Sequence, residues 1–249
     1  MILLLDLGNT RMKWCLWNGQ STSPVQACQH EEAVSQLGLF LQAHPLPIRA
    51  LGCTVTEAAH GEAIGAMLAA LGIPLYWQKP RANCLGMRTT YNINSLGADR
   101  WLSLLAAWQK RAGDVLVINA GTALTVDALT DAGDYLGGTI SPGWQLMRQA
   151  LATGTARLGR PDGQYAHFPD NTADAIHTGI LAALQGPIEQ LARKLAATQG
   201  QIDGCFLSGG DAELIRPILN ITSWPVDNLV LEGLAALARH PQLTENTHP

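Results

Sequence analysis

A mixed α/β protein built from two similar halves is what this sequence predicts, on three observations. An apolar run, Ile2 to Leu5, ends in Asp6-Leu7-Gly8-Asn9-Thr10-Arg11 and resumes as Met12-Lys13-Trp14-Cys15-Leu16-Trp17, the pattern of a strand, a tight turn and a second strand. The same layout returns at Val115 to Asp127, with Asn119 in the place of Asp6 and Gly121 in that of Gly8. Strand-sized apolar runs alternate with segments of helical period along the rest of the chain.

The length of 249 residues suits two domains of about 100 to 130 residues each. Lys110-Arg111-Ala112-Gly113-Asp114, polar and broken by glycine, marks the boundary, giving domains 1–113 and 114–249. Charges are sparse and the net charge is −4, so no broad basic face is offered to nucleic acid and the positive groups must serve a small anionic ligand. Five cysteines, Cys15, Cys28, Cys53, Cys84 and Cys205, are spread without C-x-x-C pairing, which speaks for reduced, mostly buried thiols. Only four apolar residues precede Asp6, and no run reaches the eighteen or so of a membrane span. The expectation is a soluble cytoplasmic protein with no membrane partner.

In the first hairpin, backbone N–H groups around Gly8, the side chains of Asn9 and Thr10, and a nearby cation suit a phosphate chain, because each donates to anionic oxygens. Asp6 is acceptor-only and repels phosphate, so it faces Mg²⁺ or its waters. An ordinary Asp-x-Gly turn with a surface lysine is the plain alternative. A polar turn follows at Asn18 to Pro24, then a helix over Glu31–Gln42 that His44-Pro45-Leu46-Pro47 ends. Ile48–Val55 reads as a strand, Ala58–Leu71 as a helix capped by Thr56 and stopped by Gly72, and Ile73–Trp77 as another strand.

Trp101, Leu104, Leu105 and Trp108 fall at helical spacing, which puts Asp99 in that helix's first turn. There it either caps the helix or serves as a general base for a substrate hydroxyl, with Arg100 beside it for an anionic group; position alone favours the cap. Beyond the second hairpin, glycines bracket a strand-sized segment from Tyr135 to Ser141, and a helix covers Trp144–Leu158. Gly159–Asp170 reads as an exposed loop. Asn171-Thr172 caps a helix over Ala173–Leu184, and a further helix covers Pro187–Thr198. Cys205 to Asp211 is a strand running into Gly209-Gly210, which either admits a flat ligand or forms an ordinary turn before a helix. A last helix spans Leu229–Arg239, with a frayed tail after His240. Two facing hairpin turns could hold a nucleoside triphosphate from both sides of a cleft.

No P-loop lysine motif, no G-x-G-x-x-G after a strand and no H-E-x-x-H occurs, and the seven histidines lack ligand spacing. Taken together, Asp6-x-Gly8-Asn9-Thr10, Gly97-Ala98-Asp99-Arg100, Gly121-Thr122-Ala123, Tyr135 through Gly143, Asn171-Thr172 and Gly209-Gly210 resemble the type III pantothenate kinases, in order and over nearly the whole chain. That resemblance implies two ribonuclease H-like domains of the acetate and sugar kinase, Hsp70 and actin superfamily. It also implies ATP-dependent phosphorylation of pantothenate, the first step toward coenzyme A. By the same resemblance, Asp6, Leu7, Gly8, Asn9, Thr10, Arg11, Met12 and Lys13 hold the ATP phosphates and Mg²⁺, with Asp6 reaching the metal through water, and Thr122 contributes from the other half. Asp99 is then the general base, and Tyr91, Gly97, Ala98, Asp99, Arg100 and Thr172 line the pantothenate site. A homodimer with the substrate site at its interface is implied as well.

The chain departs from the family pattern at Asn119, where the family carries an aspartate associated with bound K⁺ or NH₄⁺; an amide offers one neutral oxygen and no charge. Asn94 stands where proline is common. A non-catalytic regulatory relative and another small-molecule kinase of the superfamily are the alternative readings.

Overall fold

In a computed structural model the described residues are 1–110 and 112–244; Arg111, inside the expected boundary, and residues 245–249 of the expected tail lie outside them. The first elements are β1 (Ile2–Leu7), β2 (Arg11–Trp17), β3 (Gln26–Gln29), α1 (Ala33–Gln42), β4 (Arg49–Thr54), α2 (Ala58–Ala70) and β5 (Leu75–Trp77). Then come β6 (Asn83–Cys84), β7 (Met87–Thr89), α3 (Ala98–Lys110), β8 (Val115–Ala120), β9 (Ala123–Leu129) and β10 (Asp134–Pro142). The chain continues with α4 (Trp144–Gly154), α5 (Thr172–Gln199), β11 (Gly204–Ser208), α6 (Ala212–Ile215), β12 (Ser223–Pro225), α7 (Leu229–Ala238) and α8 (Pro241–Thr244).

Two compact units result. Of the described residues, the first comprises Met1–Leu85, Asn92–Gln109 and 229–244; the second comprises Gly86–Tyr91 and the residues from Lys110 to Asn228. Two of these assignments have a visible packing basis. Apolar α7 lies against β1 in the first unit, and β7 pairs in parallel with β10 in the second, where Arg88 forks onto Asp134 at 2.8 and 2.9 Å.

In the first unit the strands run in the order β3-β2-β1-β4-β5, antiparallel across β1, β2 and β3 and parallel from β1 to β4 to β5. The second unit repeats this order as β10-β9-β8-β11-β12, with the same antiparallel and parallel pairings. The repeat read from two short hairpin motifs thus extends to five strands in each half.

Side-chain alternation decides which groups can face the site. Leu3, Leu5 and Leu7 point into a core shared with Met12, Trp14 and Leu16 and with Leu37, Leu41, Ile64 and Leu68 of α1 and α2. Leu4 and Asp6 are on the other face. A fully buried leucine of this kind contributes about 1.5 to 3 kcal/mol. In the second unit the core of β8, β9 and β11 is covered by one stripe of α5: Ile180, Leu181, Leu184, Ile188, Ala192 and Leu195.

That stripe corrects the expectation of two helices over 173–184 and 187–198. A single helix, Thr172–Gln199, runs through Pro187. A proline inside a helix costs about 3 kcal/mol, yet the stripe passes from Leu184 to Ile188 without a break, and its burial outweighs that cost. Asn171 is its N-cap, accepting the Asp174 N–H at 3.0 Å, and Gly200 ends it in the left-handed region. Thr56 does not cap α2; Glu57 occupies the N-cap position, and the Thr56 hydroxyl is bonded to His60 Nδ1 at 3.2 Å. Nor is the chain frayed directly after His240: α8 follows, Thr244 is buried, and the Arg81 guanidinium donates to the Leu243 carbonyl at 2.6 Å. Four short strands, β3, β6, β7 and β12, have no apolar alternation to announce them.

All five cysteines are unpaired, and burial pushes the thiols of Cys15 and Cys205 up to about 12. Among the described residues no helix is long and apolar enough to cross a membrane.

Candidate active site

The β1–β2 ladder closes at Leu7 opposite Met12, so Gly8, Asn9, Thr10 and Arg11 make the turn, tied by the Gly8 N–H donating to the Arg11 carbonyl at 3.2 Å. Asn9, Thr10 and Arg11 are exposed, and Lys13 is half-buried. Leu7 and Met12 have no exposed surface, so of these two only the backbone can meet a ligand.

Asp6 is 7% exposed, opposite Lys13 on β2 and beside Cys53 on β4. The Cys53 thiol donates to Asp6 Oδ1 at 3.7 Å. Burial first, then the carboxylates of Asp6 and Asp99, hold that thiol well above its usual range. Asp6 and Asp99 both belong to the first unit although they are far apart in sequence.

Asp99 is the second residue of α3. Its Oδ1 accepts the Arg100 N–H at 2.8 Å, and its carbonyl accepts the Ser103 hydroxyl at 2.8 Å. Asp99 therefore stands inside the helix and not at its N-cap, with a side chain that remains half-exposed. Gly97, two residues earlier, leaves room for the carboxylate in this position: a Cβ there would lie 2.5 Å from Asp99 Oδ1. Ala98 and Arg100 are buried, at 9% and 4% exposure.

Three glycine junctions of the second unit, separate in sequence, converge. The hairpin turn holds Gly121, whose N–H donates to the Ala123 carbonyl at 3.1 Å, and exposed Thr122. The Thr122 carbonyl accepts the Gly143 N–H at 2.9 Å at the head of α4, and the Ala120 carbonyl accepts the Asp211 N–H at 3.0 Å at the head of α6. Asn119 sits on β8 between Thr125 of β9 and Ser208 of β11, both neutral. The Tyr91 ring lies 5.5 Å from that of Tyr135, whose hydroxyl donates to buried Asp127 at 2.8 Å. Thr172 is exposed as the first residue of α5. Tyr91, Asn119, Thr122 and Thr172 thus belong to the second unit, and Asp6 to Lys13 and Gly97 to Arg100 to the first.

One contact escaped the sequence reading. His30 Nε2 donates to the Gly8 carbonyl at 2.8 Å. Lying 22 positions away in a polar stretch, it carried no motif.

Chemically, the first unit offers exposed amide and hydroxyl donors at a tight turn, one buried carboxylate beside them and a second at a helix start. Among the described residues there is no group of three His, Cys, Asp or Glu that could cage a metal ion. A single carboxylate does fit a Mg²⁺ ion that keeps most of its waters and is shared with phosphate oxygens. The Asn119 amide itself carries no charge to offer a monovalent cation.

A family model described as type III pantothenate kinase matches residues 2–194. The type III pantothenate kinase of Laribacter hongkongensis is 45% identical over 241 residues, covering 96% of this chain and 99% of that protein. Among solved structures, a Baf family transcriptional activator from Campylobacter jejuni is similar with a TM-score of 0.66 at 19% identity, over 97% of this chain and 100% of the other. MreB 5 of Spiroplasma citri, solved with AMPPNP, is similar with a TM-score of 0.52 at 11% identity, over 97% and 96%. These two likenesses concern the fold, in which each unit carries a mixed sheet of the same strand order. The chain belongs to the type III pantothenate kinase family.

Proposed function

We propose that this chain transfers the terminal phosphoryl group of ATP to the primary hydroxyl of pantothenate, giving 4'-phosphopantothenate at the entry to coenzyme A biosynthesis. Beside family membership, the observation that carries this reading is a buried carboxylate, Asp6, next to an exposed donor-bearing turn, with a second, half-exposed carboxylate, Asp99, at the start of a rigid helix of the same unit.

Phosphoryl transfer asks for positioning and charge neutralisation more than covalent chemistry. Backbone and side-chain donors of Gly8 to Lys13 bind phosphate oxygens, and the exposed Thr122 hydroxyl is a further ATP-binding donor. Asp6 would hold Mg²⁺ through water, and that ion supplies neutralisation of phosphate charge. Asp99 takes the proton of the attacking hydroxyl, held at the start of α3. Arg100 orients the pantothenate carboxylate by its planar fork, and Tyr91, Gly97, Ala98 and Thr172 line the rest of the acceptor site. Asn119 offers K⁺ or NH₄⁺ no charge, so activity is expected to be the same with and without added K⁺. A homodimer is supported by Leu136 and Ile140 of β10, 51% and 62% exposed, and by Phe168 at 86%. Unpaired cysteines support a cytoplasmic setting.

The test is a coupled assay of ATP consumption with pantothenate, glucose and acetate as acceptors, each with and without K⁺. Turnover with pantothenate alone is the expected result. Turnover with a sugar or acetate, or none with any acceptor, would sink the proposal.

Gly97→Ala should separate position from charge. The added methyl meets a carboxylate oxygen that can rotate away, so the helix survives and the base is displaced. A loss of kcat of about 10- to 10²-fold is expected, since a 1 Å misplacement of a reacting group can cost about that much. An unchanged kcat would show that Asp99 need not occupy this position.

A further inference from the structure

We propose that His30 is a positioning residue that aims the Asn9 backbone amide at the bound nucleotide; this rests on the ATP reading of the Gly8–Arg11 turn. The β2–β3 register pairs Arg11 with Gln29, so the next residue, His30, is delivered beside that turn. Its Nε2 lies 2.8 Å from the Gly8 carbonyl oxygen. A carbonyl only accepts, so Nε2 carries the proton. The other ring nitrogen, Nδ1, is buried with no hydrogen-bond partner. For a ring that merely fills space, a buried orphan nitrogen is a cost without return. The Nε2 bond is what an imidazole adds here over an apolar ring.

The ring is also clamped. It stacks on His60 of α2 with centroids 4.3 Å apart and planes 16° from parallel, and His60 is bonded through Nδ1 to the Thr56 hydroxyl. Because a trans peptide is planar, the Gly8 carbonyl and the Asn9 N–H point in opposite directions. Fixing the carbonyl on His30 therefore fixes the Asn9 N–H on the far side, at an exposed position of the turn. Without His30 the Gly8–Asn9 peptide can rotate and one phosphate donor loses its aim.

Two substitutions divide the ring from its donor. His30→Phe keeps a flat ring for His60 and removes the N–H; His30→Gln removes the ring and places an amide N–H near the Nε2 position. MgATP binding by calorimetry and KM for ATP and pantothenate are measured on the full chain. His30→Phe should raise the Kd and KM for ATP about 10-fold, the worth of one hydrogen bond, with KM for pantothenate within about 2-fold. His30→Gln should stay within about 3-fold of wild type for ATP. If His30→Phe binds ATP like wild type, or if His30→Gln weakens both substrates alike, the role is overturned, and the second result decides even where the first variant fails to fold. A wild-type chain without affinity for MgATP overturns the nucleotide reading and this role with it, before any variant is compared.

Discussion

Asp99→Asn is expected to lower kcat by about 10²- to 10⁴-fold, the usual contribution of a general base, while stability measured by urea unfolding falls by no more than about 1 kcal/mol. The two halves of that expectation have separate causes. An asparagine side-chain oxygen can still accept the Arg100 N–H now bonded to Asp99 Oδ1 at 2.8 Å, and Cys53 still has Asp6 Oδ1 as its acceptor. The charge lost from the helix start is worth only about 0.3 to 1 kcal/mol. What asparagine cannot do is take a proton from the pantothenate hydroxyl. Shape being conserved, KM for pantothenate should move by less than about 3-fold, so the loss appears in kcat. A variant that turns over at a near-normal rate would return Asp99 to the helix-start role that its position alone suggests.

The hairpins, the long strands and the first turn of α3 were legible because each rests on local chemistry: an apolar run, a glycine turn, a helical period. The duplication was legible from only two motifs because apolar-Asp/Asn-x-Gly is dictated by what a strand-to-turn junction must do. What stayed hidden was made by tertiary contact. Gln26-Ala27-Cys28-Gln29 is too polar to read as a strand, and becomes β3 because β2 offers it an edge. Pro187 reads as a helix breaker, and the stripe from Leu184 to Ile188 overrides it. Asp6 and Asp99 were each picked out by type and position. Cys53, whose thiol donates to Asp6, was not, since a lone buried cysteine looks the same wherever it sits. His30 was passed over among the other histidines because its role depends on a register that no sequence window shows.

Gly209→Ala should cost the most stability of any single methyl added at the site, and the neighbouring Gly210→Ala almost none. Both glycines stand in one Gly-Gly pair that sequence treats as equivalent. Gly209 has a φ of +109°, where an L side chain is strained, a penalty of about 1 to 3 kcal/mol. Its added Cβ would also lie 2.2 Å from the Ala120 carbonyl oxygen and 2.6 Å from its carbon, which are backbone atoms that cannot swing aside. Overpacking of this kind costs about 1 to 3 kcal/mol again. The same Ala120 oxygen accepts the Asp211 N–H at 3.0 Å, so relief of the clash by moving the turn outward breaks the bond that holds α6 against the hairpin. Gly210 has nothing within 4 Å of its Cβ position and no left-handed φ, so its substitution should stay within about 0.5 kcal/mol. Equilibrium urea unfolding of the two variants measures the contrast. Should Gly209→Ala fall within about 1 kcal/mol of wild type, the junction at Ala120 is free to open, and the close seating of the 209–211 turn on the second hairpin does not fix its shape. Should the full penalty appear, the glycine is there to let two backbones meet, and Gly210 is the residue the turn could do without.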